Sequence, residues 1–391
     1  MASMTGKERI LAALSGEKPD RVPFAPNIWQ WYHANDYNDT LATEARAAGS
    51  PVATLRAMGA DIFSKFDSPR PQPVYGNCGM RFEFDGALPK GQAPWSSWGD
   101  LFEGGIIRRE WLDTPYGTLG HGWEYRAETG APFEIEHWWK DFESEYPAVR
   151  YWLEHSAWHL DEPALRAGLA NVGEDGTIIF QLLASPLKQF HWLAGQVNAS
   201  YFITDHPQEM DELAQIWARQ SLAFVEEVAG LKDVWVYEVP DNLDSLFYPP
   251  RWFRRFCVPV FRQTAEILHA HGKYLFVHAC GKLKTLAPQY MEANLDCVEG
   301  QAPPPIGDWP LHEARALSNR LIVCGGMAAP QQELDGPDAC ERIDDYVREL
   351  FASMGDRRRF VFASSCNTSP RTPYANLLAF RDAARRYGKV L

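Results

Sequence analysis

The chain lacks the features that mark membrane, secreted or low-complexity proteins. No apolar run is long enough to span a bilayer, and the opening residues, MASMTGKERI, lack the apolar core of a secretory signal. No charged tail, internal repeat or biased tract occurs along the sequence. We therefore expect a soluble, cytoplasmic globular protein that has no association with membranes.

An excess of basic residues is also absent. The 391 residues include 51 acidic and 38 basic side chains, which gives a formal net charge of −13. Such a surface disfavours binding to phosphate backbones and anionic lipids, so we expect no nucleic-acid partner. Hydrophobic residues make up 46% of the chain, which is enough for a large core.

Cysteine is sparse. Seven cysteines are scattered along the chain, an odd number without the dense spacing of a disulfide framework. Reduced thiols are the expected state, and most of them should be small core residues. The cysteines are Cys78, Cys257, Cys280, Cys297, Cys324, Cys340 and Cys366.

Short apolar runs alternate with amphipathic stretches of helical period, and none is followed by a glycine-rich dinucleotide fingerprint. Runs that are apolar on both faces, such as TIIFQLLA, are typical of strands in a parallel sheet that is covered on both sides. Eight such units predict an α/β fold, a single (β/α)8 TIM barrel over residues 1–391, rather than an open doubly wound sheet. The predicted strands are Val22–Trp29, Asp61–Phe66, Thr177–Ala184, Val234–Val239, Tyr274–Ala279, Cys297–Gln301, Leu321–Cys324 and Phe360–Ala363.

Residues 74–158 interrupt this alternation after the second strand. Val74–Arg126 contains alternating runs such as MRFEFDG and the turn PYGTLG, which indicate β structure. Phe133–Trp158, rich in Trp, His and Glu, is predicted to be helical. We expect these two parts to form an insertion that caps the barrel mouth.

The sequence FVHACGK ends the fifth predicted strand. His278 and Cys280 are two residues apart, so on an extended chain both side chains point to the same side. Cys366 follows the eighth strand, and the carboxyl ends of barrel strands surround the active site. One imidazole and two thiolates suit a catalytic Zn2+. The alternative is a hydrogen-bonded core histidine beside two packing cysteines.

Two glutamates end predicted strands, Glu238 the fourth strand in VYEVPDN and Glu299 the sixth in CVEGQ. Either is a candidate catalytic residue, as a fourth metal ligand, as a general acid or as the partner that orients His278. A structural role in a salt bridge is the alternative. Asp241 follows Glu238 closely.

The sequences TGKERILAALSGEKPDRVPF, SPLKQFHWLAG and HACGK followed by a helix resemble the uroporphyrinogen decarboxylase superfamily over most of the chain. Its decarboxylases carry substrate-binding arginines after the first strand, where this chain reads APNIWQWYHAN. Its cobalamin-dependent methyltransferases carry an H-x-C…C zinc motif, which His278, Cys280 and Cys366 match. The resemblance thus implies a zinc methyltransferase rather than a tetrapyrrole decarboxylase.

Aromatic residues are concentrated near the predicted mouth. An apolar pocket with few polar groups suits a small aromatic or one-carbon substrate, and no second basic cluster is present to bind a polyanion. The alternative is that these side chains brace the cap and a homodimer surface. The candidate substrate-binding residues are Asn27, Trp29, Trp31, Tyr32, His33, Phe247 and Tyr248.

Four hypotheses follow from these observations. The first is transfer of a methyl group from a small donor, such as an aryl methyl ether, to the Co(I) corrinoid (cobalamin) of a separate partner protein, since this chain has no D-x-H-x-x-G motif. The second reverses the direction, from a methyl-corrinoid to a thiol or tetrahydrofolate. The others are a metal-free decarboxylase and a noncatalytic barrel that binds a corrinoid protein.

Overall fold

In a computed structural model, which describes residues 4–86, 106–126 and 131–390, eight parallel strands form one curled sheet. The strands are β1 (Phe24–Ala25), β2 (Ile62–Ser64), β3 (Gly176–Gln181), β4 (Val236–Leu243), β5 (Tyr274–Ala279), β6 (Cys297–Gln301), β7 (Ile322–Met327) and β8 (Phe360–Ser364). Their order in the sheet is β1-β8-β7-β6-β5-β4-β3-β2, and helices separate successive strands. The predicted (β/α)8 barrel is confirmed.

The first strand is much shorter than predicted. Val22–Trp29 contains only the two-residue strand Phe24–Ala25, and Trp29 already begins a helix. Pro23 and Pro26 flank this strand and have no N–H to donate to a neighbouring strand, which limits the ladder to the two residues between them.

Asp61 connects β1 to β2, which share no strand pairing within the described residues. Its N–H donates to the Phe24 carbonyl (2.8 Å), and its carboxylate accepts the Phe24 N–H (2.9 Å). The same carboxylate is paired with Arg9 (2.5 Å) and Arg21 (2.7 Å). This buried ion-pair cluster closes the barrel at the seam where the strand ladder is interrupted.

The barrel interior changes from apolar to polar along its axis. The first helix, Gly6–Ser15, packs Ile10 and Leu14 against the interior residues Val236 and Phe276. Towards the carboxyl ends of the strands, the interior positions are instead occupied by polar side chains. Because strand residues alternate in direction, these side chains point to the same interior as the apolar ones below them.

Helices surround the barrel and fill the connections between strands. Within the described ranges, none is long and apolar enough to cross a membrane. Besides Gly6–Ser15, the helices are Trp29–Tyr37, Thr43–Ala48, Pro51–Met58, Phe142–His155, Glu162–Val172, Pro186–Asp205, Pro207–Val228, Pro250–Trp252, Val258–Ala270, Ala287–Glu292, Leu311–Leu317, Ala329–Gln332, Ala339–Met354 and Tyr374–Tyr387, with a π-helical turn at Phe253–Cys257 and 3₁₀ turns at Gly173–Asp175 and Lys284–Leu286.

The insertion between β2 and β3 contains a four-stranded antiparallel sheet, as predicted for its β-rich part. The strands, in this order, are Gly79–Asp85, Ile107–Thr114, Gly117–Arg126 and Ala131–Glu136. Residues 87–105 and 127–130 of the predicted insertion lie outside the described residues. The bounds 74–158 for the insertion and 1–391 for the domain remain predictions.

The predicted helix over Phe133–Trp158 is wrong at both ends. Phe133 lies in the strand Ala131–Glu136, where the alternation of PFEIE has the period of a strand. Only Phe142–His155 is helical, and Ala157–His159 pairs as an antiparallel strand with Gln72–Val74.

The insertion is anchored to the helix that follows β3. This helix, Pro186–Asp205, is interrupted at Gly195, where φ is 73°. A Cβ at this position would lie 2.5 Å from the His137 ring. The Trp139 N–H donates to the Leu193 carbonyl (2.7 Å) at the interruption. The break in the helix thus frees the Leu193 carbonyl to accept a hydrogen bond from the insertion. It also lets the His137 ring pack directly on the Gly195 backbone.

Candidate metal centre

His278 and Cys280 lie at the carboxyl end of β5. Phe276 points into the barrel interior, so His278, two residues later, points the same way. Cys280 follows the last strand residue, and Gly281 comes next. A Cβ on Gly281 would lie 2.0 Å from the Asp244 carboxylate, so the turn that ends the strand requires glycine. His278 and Cys280 thus lie at the mouth of the barrel, just before the chain turns at Gly281.

Cys366 reaches the same place from the loop after β8. Its backbone φ is 125°, a left-handed conformation that costs a non-glycine residue on the order of 1–3 kcal/mol and concentrates at functional sites. The Asn27 side-chain amide donates to the Cys366 carbonyl (3.1 Å) and to the Asn367 side-chain oxygen (2.6 Å). The loop is thus held in its strained form by a residue predicted to bind substrate.

The structure brings His278, Cys280 and Cys366 together. One ligand atom from each lies within 4.8 Å of the other two, and Cys366 Sγ is 3.5 Å from His278 Nε2. A hydrogen bond between the two cysteines lowers the pKa of Cys280. The same bond, together with burial, raises the pKa of Cys366 to about 12. Of the two thiols, Cys280 is therefore the more acidic, and Cys366 is the one that holds its proton more strongly.

Glu299 lies behind His278 on the neighbouring strand. The two residues are direct partners in the β5–β6 register, and Glu299 Oε2 is 2.5 Å from His278 Nδ1. Burial and the Lys65 ammonium lower the pKa of His278, but Glu299 and Cys366 outweigh them and raise it to about 10. With Nδ1 directed at a carboxylate, Nε2 faces the cysteines, as in carboxylate–histidine–metal arrangements.

Lys65 is the residue that the sequence analysis missed. It follows the last residue of β2, and its ammonium lies 3.2 Å from Glu238 Oε1, 3.1 Å from Glu299 Oε2 and 3.2 Å from His278 Nδ1. Burial lowers the pKa of Lys65, but the two carboxylates outweigh it and raise the pKa, so the side chain is a cation. A lysine near the carboxyl end of the predicted strand Asp61–Phe66 was the available signal.

Glu238 has a different environment from Glu299. It is fully buried, and its Oε1 accepts hydrogen bonds from Lys65 and from Gln181 Nε2 (3.1 Å), whereas Oε2 has no partner within the described residues. Burial raises the pKa of Glu238. For Glu299, Lys65 and His278 outweigh burial and lower the pKa. Glu299 is therefore the carboxylate of the pair, and Glu238 is the one that more readily holds a proton.

The aromatic residues after β1 are mostly packed. Trp29 stacks on Phe66 with ring centroids 5.3 Å apart and remains half-buried. Trp31 is buried, and its indole N–H donates to a main-chain carbonyl in the loop after β8 (2.8 Å). Tyr32 is buried against the edge of the His33 ring. These contacts stabilise the mouth, and the substrate-binding role of the four residues remains a prediction.

The two aromatic residues after β4 differ in exposure. Phe247 is 43% exposed, whereas Tyr248 is buried and its hydroxyl donates to the Asp241 carbonyl (2.7 Å). Asp241 in turn accepts the Ser185 N–H (2.8 Å), which connects the end of β4 to the helix after β3. Their substrate-binding role also remains a prediction, with Phe247 the more accessible of the two.

The donor set fits a zinc ion. Two sulfurs and one imidazole nitrogen are typical zinc ligands, and three protein ligands are typical of a catalytic site. Ligand atoms on one tetrahedral zinc lie about 3.5–3.8 Å apart, and the Cys366 Sγ to His278 Nε2 distance is 3.5 Å. Both thiols are partly exposed. The Glu299 carboxylate on His278 Nδ1 is the usual partner of a metal-binding histidine.

Comparisons with known proteins agree with this fold. The uroporphyrinogen decarboxylase (URO-D) family model matches residues 173–387. No curated protein gives a significant match. A methyltransferase from Methanosarcina mazei superposes over 98% of this chain and 99% of its own, with a TM-score of 0.60 and 16% identity.

An AP endonuclease of family 2 from Brucella melitensis covers 59% of this chain and 84% of its own, with 13% identity and a TM-score of 0.32, which is too low to support an argument.

The family match extends from β3 to the last helix and includes all three candidate metal ligands. This chain belongs to the uroporphyrinogen decarboxylase (URO-D) family.

Proposed function

We propose that the protein is a zinc-dependent methyltransferase that moves a methyl group from an aryl methyl ether to the Co(I) corrinoid of a partner protein. The observation that carries this proposal is the convergence of His278, Cys280 and Cys366 at the carboxyl end of the barrel. A family member with two thiols and an imidazole at this place has the donor set for a thiophilic Lewis acid.

The sequence after β1 supports a methyltransferase over a decarboxylase. The segment APNIWQWYHAN contains no arginine for a substrate carboxylate, and its Asn27 holds the Cys366 loop. The likeness to the Methanosarcina mazei methyltransferase extends over nearly the whole of both chains and agrees with this proposal.

Each residue of the site has a defined task in the proposal. His278, Cys280 and Cys366 would hold the zinc ion, which when bound supplies Lewis acidity for the ether oxygen as the methyl group leaves. Glu299 orients His278 so that Nε2 faces the two thiols. Cys366 gives up its proton when metal binds, so metal uptake releases protons.

A reaction with defined substrates tests the proposal. The purified chain is incubated anaerobically with cob(I)alamin and a panel of methoxyarenes, and methyl-cobalamin and free phenol are measured. We expect both products in equal amounts, and their loss in Cys366→Ser and His278→Ala. Formation of methylated thiol or methyltetrahydrofolate from methyl-cobalamin, with no phenol from any ether, would instead support the reverse direction.

A further inference from the structure

The loop after β8 is anchored on both sides of Cys366. Before it, the Ser365 N–H donates to the Met327 carbonyl (3.0 Å) at the end of β7. After it, the Thr368 N–H donates to the Asn27 carbonyl (2.8 Å) after β1. Cys366 connects these two anchored parts with a φ of 125°, a conformation that residues with a side chain rarely adopt. The thiol thus sits on a backbone that other contacts must hold in place.

Asn27 is placed beside this loop by β1. Ala25 in β1 is the register partner of Ala363 in β8, so the two chains leave the sheet side by side. The Asn27 amide has two N–H donors. One donates to the Cys366 carbonyl (3.1 Å) and the other to the Asn367 side-chain oxygen (2.6 Å). Both donors of this amide are therefore used by Cys366 and the residue that follows it.

The hydrogen bond to the Cys366 carbonyl fixes the peptide plane that follows the thiol-bearing residue. Cys366 Sγ lies 3.5 Å from His278 Nε2, which is the spacing of two ligand atoms on one metal. Metal–ligand distances stay within about 0.2 Å of their usual values, so a small rotation of the Cys366 backbone would carry the thiol out of reach. The Asn27 amide is the side-chain group that opposes such a rotation.

We propose that Asn27 is a positioning residue that holds Cys366 as a ligand of the metal centre. This inference rests on the proposed function, because it assumes a metal at His278, Cys280 and Cys366. Asn27 acts through the Cys366 carbonyl and touches neither the metal nor the reacting atoms. Without its amide, the loop relaxes towards an ordinary backbone conformation and the thiol moves away from the other two ligands.

A second asparagine of the same segment provides a matched control. The Asn35 amide donates to the Pro370 carbonyl (2.9 Å), in the same loop but beyond Cys366. Asn35 thus joins the same two parts of the chain through the same kind of hydrogen bond. Its loss should weaken the attachment of the loop and leave the position of the Cys366 thiol unchanged.

Titration of the full chain with Co2+ under reducing, anaerobic conditions tests this role. The main-chain bonds of Asn27 remain in Asn27→Ala, so the variant removes only the amide. We expect Asn27→Ala to bind Co2+ about 10-fold or more weakly than wild type, as for other groups that orient a metal ligand. Its thiolate-to-cobalt charge-transfer absorbance per bound Co2+ should also be lower, because the Cys366 thiolate is displaced. Asn35→Ala should equal wild type in both measurements.

Two results would overturn the inference. One is wild-type affinity and charge-transfer absorbance in Asn27→Ala. The other is an equal loss in Asn35→Ala, because any loosening of the loop would then have the same effect. Should Asn27→Ala fail to fold, which circular dichroism detects, Asn27→Leu replaces it with the same expected loss and the same overturning results.

Failure of the proposed function gives a different result from failure of this inference. If wild type takes up no Co2+, the metal centre is wrong and the role of Asn27 falls with it. If wild type and Asn27→Ala bind Co2+ equally well with the same charge-transfer absorbance, the metal centre stands and only the role of Asn27 is rejected.

Discussion

The hydrogen bond between Glu299 and His278 makes a quantitative prediction about metal affinity. Glu299→Gln keeps the size of the side chain and an oxygen that can accept from Nδ1, but removes the negative charge. A hydrogen bond to a charged group contributes about 1.5–3 kcal/mol and a neutral one about 0.5–1.5 kcal/mol. The expected loss is therefore about 1–2 kcal/mol, which corresponds to about 5- to 30-fold weaker zinc binding.

Competition against a chromophoric chelator at fixed pH measures this loss directly. Glu238→Gln is the control, because Glu238 belongs to the same buried cluster but makes no hydrogen bond to His278 within the described residues. We expect Glu238→Gln to bind zinc within a factor of about three of wild type. The reasoning would be refuted by wild-type affinity in Glu299→Gln, or by an equal loss in both variants.

Two further predictions concern stability. Asp61→Ala should lower the free energy of unfolding in urea by about 3 kcal/mol, because buried Arg9 would be left with Asp20 alone and the Asp61 contacts with Arg21 and the Phe24 N–H would be lost; a loss below about 1 kcal/mol would contradict this. His121 lies between Glu110 (2.9 Å) and Glu134 (3.3 Å). Burial lowers the pKa of His121, but the two carboxylates outweigh burial, so the pKa is raised. Its contribution to stability is the free energy of unfolding of wild type minus that of His121→Leu. This difference should be full just below about pH 6.5, the unfolded pKa, and fall as pH rises through the higher folded pKa. A difference that grows with pH would refute this.

The pattern of the sequence was sufficient to predict the barrel and the meeting of three ligands. Strand alternation alone places His278 and Cys280 on one side, and barrel closure brings the loop after β8 to the end of β5. The family resemblance matched His278, Cys280 and Cys366 to a zinc motif and so favoured a metal site over a packed core histidine. These features depend on periodicity and on the order in which strands follow one another along the chain, and both can be read from a sequence.

Other features depend on contacts that a sequence does not display. Lys65 follows a three-residue strand and could equally have been an exposed loop residue, since its direction is decided by the carboxylates of two distant strands. The positive φ of Cys366 depends in the same way on Asn27, 339 residues away. The short β1 was predictable, because Pro23 and Pro26 mark its limits.

Metal analysis of the full chain tests the central claim most directly. The protein is purified under reducing conditions with zinc supplied, and bound zinc is quantified alongside X-ray absorption at the zinc edge. The account predicts about one zinc ion per chain, two sulfur ligands, and loss of the metal in both His278→Ala and Cys366→Ser. Wild-type protein without bound zinc, or a zinc ion retained with unchanged sulfur ligation in Cys366→Ser, would contradict it.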